Sequence, residues 1–150
     1  SDEQMTKKNI QKPLRKKTVC PSKDKALLCA QAASNKKARD IRVLDVRTLT
    51  DITDFFVICS ADNTRQALAI ADEIQQKLKS HHMKAGHKEG SGEANWVLLD
   101  CYDVIIHIFL EEARGFYRIE DLWAEAKQVT ISNIPPAFGE ARSRLSADKN

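Results

Sequence analysis

The clearest hydrophobic period in the chain runs through Ala67, Ile70, Ala71, Ile74 and Leu78. That spacing predicts an amphipathic helix, capped by Asp62 or Asn63 and ending near Ser80. Upstream, Ser22 is placed as an N-cap, and Leu27, Leu28 and a run of alanines predict one side of a helix reaching about Asn35. Ile41 to Val46 alternates between two faces and Phe55 to Cys59 is densely apolar, so both predict strands. A short strand is expected around Met83 to Lys88, punctuated by Gly86, Gly90 and Gly92. Trp96 to Cys101 and Val104 to Leu110 are separated by Tyr102-Asp103, the spacing of a tight hairpin. Glu111 and Glu112 suit the first turn of a helix, where the positive end of the macrodipole favours carboxylates. Gly115 is expected to break or bend that helix before a last helical segment, Ile119 to Ala126.

Helices spaced among five short strands predict an α+β fold, a mixed five-stranded sheet with its helices mainly on one face. Residues 1–21 show neither strand nor helix period and predict a basic disordered arm, residues 22–126 a single domain, and residues 127–150 a flexible tail. The chain is 150 residues long, with 42% hydrophobic and 30% charged residues, as expected for one globular domain. No apolar run approaches the roughly 18 residues of a membrane span.

Cys20, Cys29, Cys59 and Cys101 are scattered, and three sit in hydrophobic settings, which predicts reduced, buried thiols rather than bridges. With no secretory signal pattern at the N-terminus, a cytoplasmic location is expected, and a mitochondrial or plastid matrix is the alternative.

Charge changes this picture. Residues 1–39 hold eleven Lys and Arg against three acids, residues 40–123 hold nine against fifteen, and residues 124–150 hold four against three. The body is therefore acidic and its flank basic, within a net charge of +3. An acidic body is poorly suited to a phosphate backbone, since that affinity comes mainly from cations displacing counterions. A basic protein is the better partner.

The sharpest enzymatic alternative is Mg²⁺-dependent nucleotidyl transfer, with Asp45, Asp54, Asp100 and Asp103 at strand ends as metal ligands. It needs a phosphate-cradling turn, and Cys59-Ser60-Ala61-Asp62-Asn63 has neither the glycines nor a paired Asp-x-Asp. These carboxylates then read as caps and turn residues. His81, His82 and His87 lack metal-ligand spacing. His107 alternates with Ile105 and Phe109 and is expected to be neutral and hydrogen-bonded on the face they share. On the neighbouring strand Trp96, Leu98 and Asp100 share one face while Val97 and Leu99 share the other. Helices over Val97 and Leu99 would leave an aromatic anchor rimmed by charge, the composition of a binding hot spot.

Several segments occur in the order found in one known family: Leu44-Asp45-Val46, Ile52-Thr53-Asp54-Phe55-Phe56-Val57-Ile58, Asn63-Thr64-Arg65-Gln66, Glu89-Gly90, Ala94-Asn95-Trp96 through Asp100, Asp103 through Phe109, and Arg114-Gly115-Phe116-Tyr117 through Trp123. Over roughly residues 24–125 the chain resembles the ribosomal silencing factors, also called Iojap. The resemblance implies a nucleotidyltransferase-like fold without the catalytic turn, no enzymatic activity and no cofactor. It implies a translational repressor that binds the large ribosomal subunit through that subunit's basic fourteenth protein and sterically blocks joining of the small subunit, with a further role in large-subunit maturation. Carried over by position, the partner-binding residues are Glu89, Trp96, Leu98, Asp100, Asp103, Arg114, Tyr117 and Glu120. A secondary contact of the basic arm with ribosomal RNA and a homodimer of the free protein stay open. Tyr102 stands where the family's hairpin usually carries glycine, which sets its turn geometry apart.

Overall fold

The computed structural model describes residues 20–90 and 93–131; residues 1–19 of the expected arm and the expected tail beyond Ile131 lie outside them, whereas Cys20 and Pro21, read as the end of the arm, begin the first helix. The described elements are α1 (Pro21–Asn35), β1 (Arg39–Asp45), β2 (Phe55–Ala61), α2 (Thr64–Ser80), β3 (His87–Glu89), β4 (Trp96–Asp100), β5 (Val104–Leu110), α3 (Glu111–Tyr117), the single turn α4 (Ile119–Leu122) and β6 (Lys127–Gln128). The fold is α+β, around one mixed sheet.

That sheet has six strands rather than five, in the order β3-β4-β5-β2-β1-β6. Only β2 and β5 run parallel, and α2 with the β3–β4 hairpin connects them; the other neighbours are antiparallel. The sixth strand has no hydrophobic signature of its own. Lys127 and Gln128 are exposed and gain their place by pairing with Asp45 and Leu44. Two further expectations are corrected. Gly115 does not break α3, which continues to Tyr117; the break falls at Arg118, in the left-handed region at φ 49°. The following helical segment stops at Leu122, not Ala126.

The α1 N-cap is Cys20, with Pro21 and Ser22 already inside the helix. Proline is favoured in a first turn because its missing N–H would have no intrahelical partner there. The Leu27 and Leu28 side is also only partly buried; Ala26, Cys29, Ala30, Ala32 and Ala33 face the core instead. In α2 the expected stripe is the buried one, and Asn63 caps it by accepting the Gln66 N–H at 2.8 Å.

Helices α1 and α2 cover one face of the sheet, over Val43, Val57, Val97, Leu99, Ile106 and Ile108. The opposite face carries a smaller cluster of Leu44, Val46, Phe56, Ile58 and Phe109, covered in part by Ala113 of α3, Ile119 of α4 and Trp123 just after it. Cys29, Cys59 and Cys101 are buried free thiols. Burial pushes all three above the usual thiol range, Cys101 to about 11 and Cys59 to about 12.

Two backbone positions shape the β3–β4–β5 end. Tyr102 closes the β4–β5 hairpin at φ 74°, with its N–H held by Asp100 Oδ1 at 3.0 Å. Gly86 leads into β3 at φ 63°, and a Cβ there would lie 1.6 Å from the Asp100 carbonyl oxygen. Gly86→Ala is expected to cost about 2 kcal/mol, the left-handed penalty plus displacement of β3. The loss is bounded because β3 is a three-residue exposed edge strand that can lift away. An unchanged urea midpoint would contradict this.

Candidate functional site

The face opposite the long helices is built by strand alternation. Val97 and Leu99 are fully buried under α1 and α2, so Trp96, Leu98 and Asp100 point the other way and are each half-buried. Cross-strand register sets their neighbours. Trp96 lies opposite Phe109, Leu98 opposite both Glu89 and His107, and Asp100 opposite Ile105. The row Glu89, Leu98, His107, Ile58 thus crosses four strands on one side of the sheet.

Aromatic rings form a continuous band over this face. Phe116 meets Tyr117 edge-on with centroids 5.0 Å apart, and Tyr117 packs on Trp96 at 4.7 Å. Trp96 lies 4.9 Å from Phe109 and 5.8 Å from His107. His107 meets Phe56 at 5.1 Å, and Phe56 meets Trp123 at 5.0 Å. Offset and edge-to-face pairs at these separations add to plain burial. One end of the band is bare: Tyr117 is 46% and Phe116 78% exposed, and Leu122 nearby on α4 is 77% exposed. Phe116 and Leu122 were not picked out from sequence. No signal in the linear pattern marks them, since adjacent residues of a helix can share a buried side, as Ala113 and Arg114 do on α3.

The eight positions carried over from the resemblance do not form one patch. Trp96, Leu98 and Tyr117 come together on the aromatic face, with Glu89 on its rim. Arg114 and Glu120 are instead a clamp beneath it. The Arg114 guanidinium, on a residue only 7% exposed, grips the Glu120 carboxylate through Nε at 3.2 Å and Nη2 at 2.7 Å. Its Nη1 donates to the Ser60 hydroxyl at 2.8 Å and to the Asp40 carbonyl at 2.9 Å, inside the bulge of β1. Asp103 turns toward α1, where the buried Lys25 ammonium donates to its Oδ1 and to the Cys101 carbonyl, both at 2.7 Å. Asp100 is engaged by its own hairpin turn.

Of the four aspartates of the enzymatic alternative, Asp45, Asp100 and Asp103 have their carboxylates engaged separately, each by a different partner. Asp45 is gripped by Arg47 at 2.9 and 2.7 Å, and that hydrogen bonding holds its carboxyl below the usual range. Asp54 enters the sheet through its backbone, its N–H donating to the Asp103 carbonyl. Among the described residues no three His, Cys, Asp or Glu side chains gather as a metal would require.

His107 lies where its alternation places it, 4% exposed on the aromatic face. Its Nδ1 accepts the Trp96 indole N–H at 3.2 Å. Burial alone lowers the ring to about 4, so it is neutral at physiological pH.

Residues 20–150 match the family described as "Ribosomal silencing factor during starvation". The chain is 36% identical over 99 residues to Ribosomal silencing factor RsfS of Bacillus subtilis, covering 66% of this chain and 84% of that one. It is 39% identical over 109 residues to the chloroplastic protein Iojap of Zea mays, and 30% identical over 114 residues to the mouse protein named "Mitochondrial assembly of ribosomal large subunit protein 1". It spans 46% and 49% of those two longer chains. A crystal structure of a Chromobacterium violaceum protein superposes with a TM-score of 0.66 at 30% identity, over 79% of this chain and 96% of that one. A second, from Bacillus halodurans, gives 0.63 at 30% identity, over 72% and 98%. Likeness of sequence and likeness of fold converge, and the chain belongs to the ribosomal silencing factor family.

Proposed function

We propose that this protein represses translation by binding the large ribosomal subunit through its aromatic face, on the subunit's basic fourteenth protein, and so keeps the small subunit from joining. It makes and breaks no bond. The observation that carries this reading is the half-buried Trp96 indole, flanked by exposed Tyr117 and Phe116, on the sheet face that the long helices leave open. Aromatic anchors of this kind dominate binding energies, and a body with six more acids than bases over residues 40–123 steers toward a cationic partner. Trp96, Leu98, Tyr117 and Glu89 make the contact. Arg114 and Glu120 serve it from below by holding α3 and α4 in place. Asp100 and Asp103 shape the hairpin beside it.

The names of the relatives support a large-subunit role: one assembles the mitochondrial large subunit, and the bacterial ones are called silencing factors. Action in large-subunit maturation fits the same surface. The bacterial relatives favour the cytoplasm, with the plastid and mitochondrial relatives marking the alternative. The basic residues before Cys20 add a salt-sensitive contact with ribosomal RNA; deleting them weakens association only modestly and flattens its salt dependence. The fold relation to nucleotidyltransferases belongs to this reading too, as a scaffold used without its chemistry.

Trp96→Ala is expected to weaken binding to separated large subunits by about 2 kcal/mol, roughly thirtyfold, with the variant still folded by circular dichroism. Co-sedimentation reads the affinity and a subunit-joining assay reads the consequence. A folded variant that binds and blocks joining as the wild type does removes this face from the site.

A further inference from the structure

An indole N–H can donate a hydrogen bond but never accept one. The 3.2 Å contact between Trp96 Nε1 and His107 Nδ1 therefore fixes the histidine: Nδ1 is the bare acceptor and the ring proton is on Nε2. That Nε2 is buried and has no hydrogen-bond partner among the described residues. A buried donor without a partner is costly, and the opposite tautomer would leave two donors facing each other. The arrangement persists because the ring is caged, stacked on Phe109 with planes 8° apart and centroids 6.0 Å apart, and met edge-on by Phe56.

The consequence falls on Trp96. At most interfaces a tryptophan offers its N–H outward as the polar handle of a large apolar ring. Here the N–H is turned inward and used up on β5, while Phe109 and Tyr117 hold the ring plane. We infer that His107 is a positioning residue: by accepting the Trp96 indole N–H it locks the ring in one pose and leaves the indole with no donor to offer a partner. The partner group that covers this indole is then an apolar side chain or a cation on the ring face, not a carbonyl or carboxylate seeking a hydrogen bond. This inference rests on the docking role of Trp96 proposed above.

The test uses His107→Phe, which keeps a planar ring but removes the acceptor, and His107→Asn, whose amide oxygen falls close to the position of Nδ1. In the wild type, ¹⁵N chemical shifts of the imidazole are expected to report a bare Nδ1 and a protonated Nε2; the reverse tautomer overturns the inference whatever the variants do. With Trp123→Phe as background, leaving a single indole, His107→Phe is expected to speed exchange of the Trp96 indole N–H by about tenfold. It should also weaken large-subunit binding about fivefold, the worth of one ordinary hydrogen bond. His107→Asn should restore slow exchange and binding together. Unchanged indole exchange in His107→Phe overturns the positioning role. So does Trp96→Ala weakening binding while both His107 variants bind as the wild type does. If Trp96→Ala itself binds normally, the docking reading fails separately, and the inference about the partner fails with it.

Discussion

Replacing Arg114 by methionine is expected to lower folding stability by about 3 kcal/mol, because it breaks a buried charge network from its centre. Methionine fills a similar volume, so the loss is polar rather than a cavity. The Ser60 hydroxyl and the Asp40 carbonyl lose their donor, and Glu120 loses both guanidinium contacts. Removing one partner of a buried pair costs about 3–5 kcal/mol. The lower end applies because the Glu120 and Asp40 side chains keep some access to water. Arg114→Lys recovers only part of this, since a point charge cannot make the forked contact with Glu120 and still reach Ser60. Urea unfolding at pH 7 gives the result directly. The same variants should loosen the α3–α4 segment and with it the seat of Tyr117, so large-subunit binding should fall in the same order. An unfolding midpoint unmoved by Arg114→Met would show the clamp to be dispensable.

The second large effect is an acid-induced loss of stability traceable to one ring. His107 titrates at about 4 in the folded protein, against the 6.5 of an unburied imidazole, and burial is the cause. Its sheet neighbours Leu98 and Ile58 and its ring neighbours Phe56, Trp96 and Phe109 are uncharged; the nearest carboxylate in its row is Glu89, two strands away. Between these two pH values the unfolded chain carries a proton on His107 that the folded chain does not. More protons on the unfolded state mean that stability falls as pH falls. The loss is absent above about 6.5, grows through the window and is complete below about 4, on the order of 3 kcal/mol. Other carboxylates titrate in the same range, so the measurement is a difference: urea unfolding of the wild type and of His107→Phe at stepped pH. The two curves should run parallel above pH 6.5 and separate below it. Parallel curves down to pH 4 would show that the folded state accommodates the charged ring.

Most of the fold was legible from the order of residues. The apolar stripe of α2 and the cap at Asn63 stand as expected, and so do the β4–β5 hairpin and the two-faced character of β4. His107 was placed on the correct face by alternation alone. The readings that failed share a cause. Gly115 suggested a helix break by composition, yet the turn of the chain is made at Arg118, where the Asp121 carboxylate holds the guanidinium at 2.7 Å. Ile119 to Ala126 suggested a longer helix, yet the chain there leaves α4 to run alongside β1. Of the residues suggested by resemblance, Arg114 and Glu120 could not be told apart from surface contacts until their burial was known.

Hydrophobic period and caps involve residues one to four positions apart, so the chain specifies helices, strands and the inward side of each without reference to anything distant. A polar group's partner is a different kind of fact. Arg114 meets Ser60 across 54 positions and the Asp40 carbonyl across 74, and the two-residue β6 exists only because β1 offers it an edge. The Trp96 indole looked the same in the linear pattern whether its N–H faced a partner or His107, eleven positions on, because the chain between them had first to fold back in register. Packing resolved that direction, through the desolvation cost that obliges buried donors and acceptors to find one another.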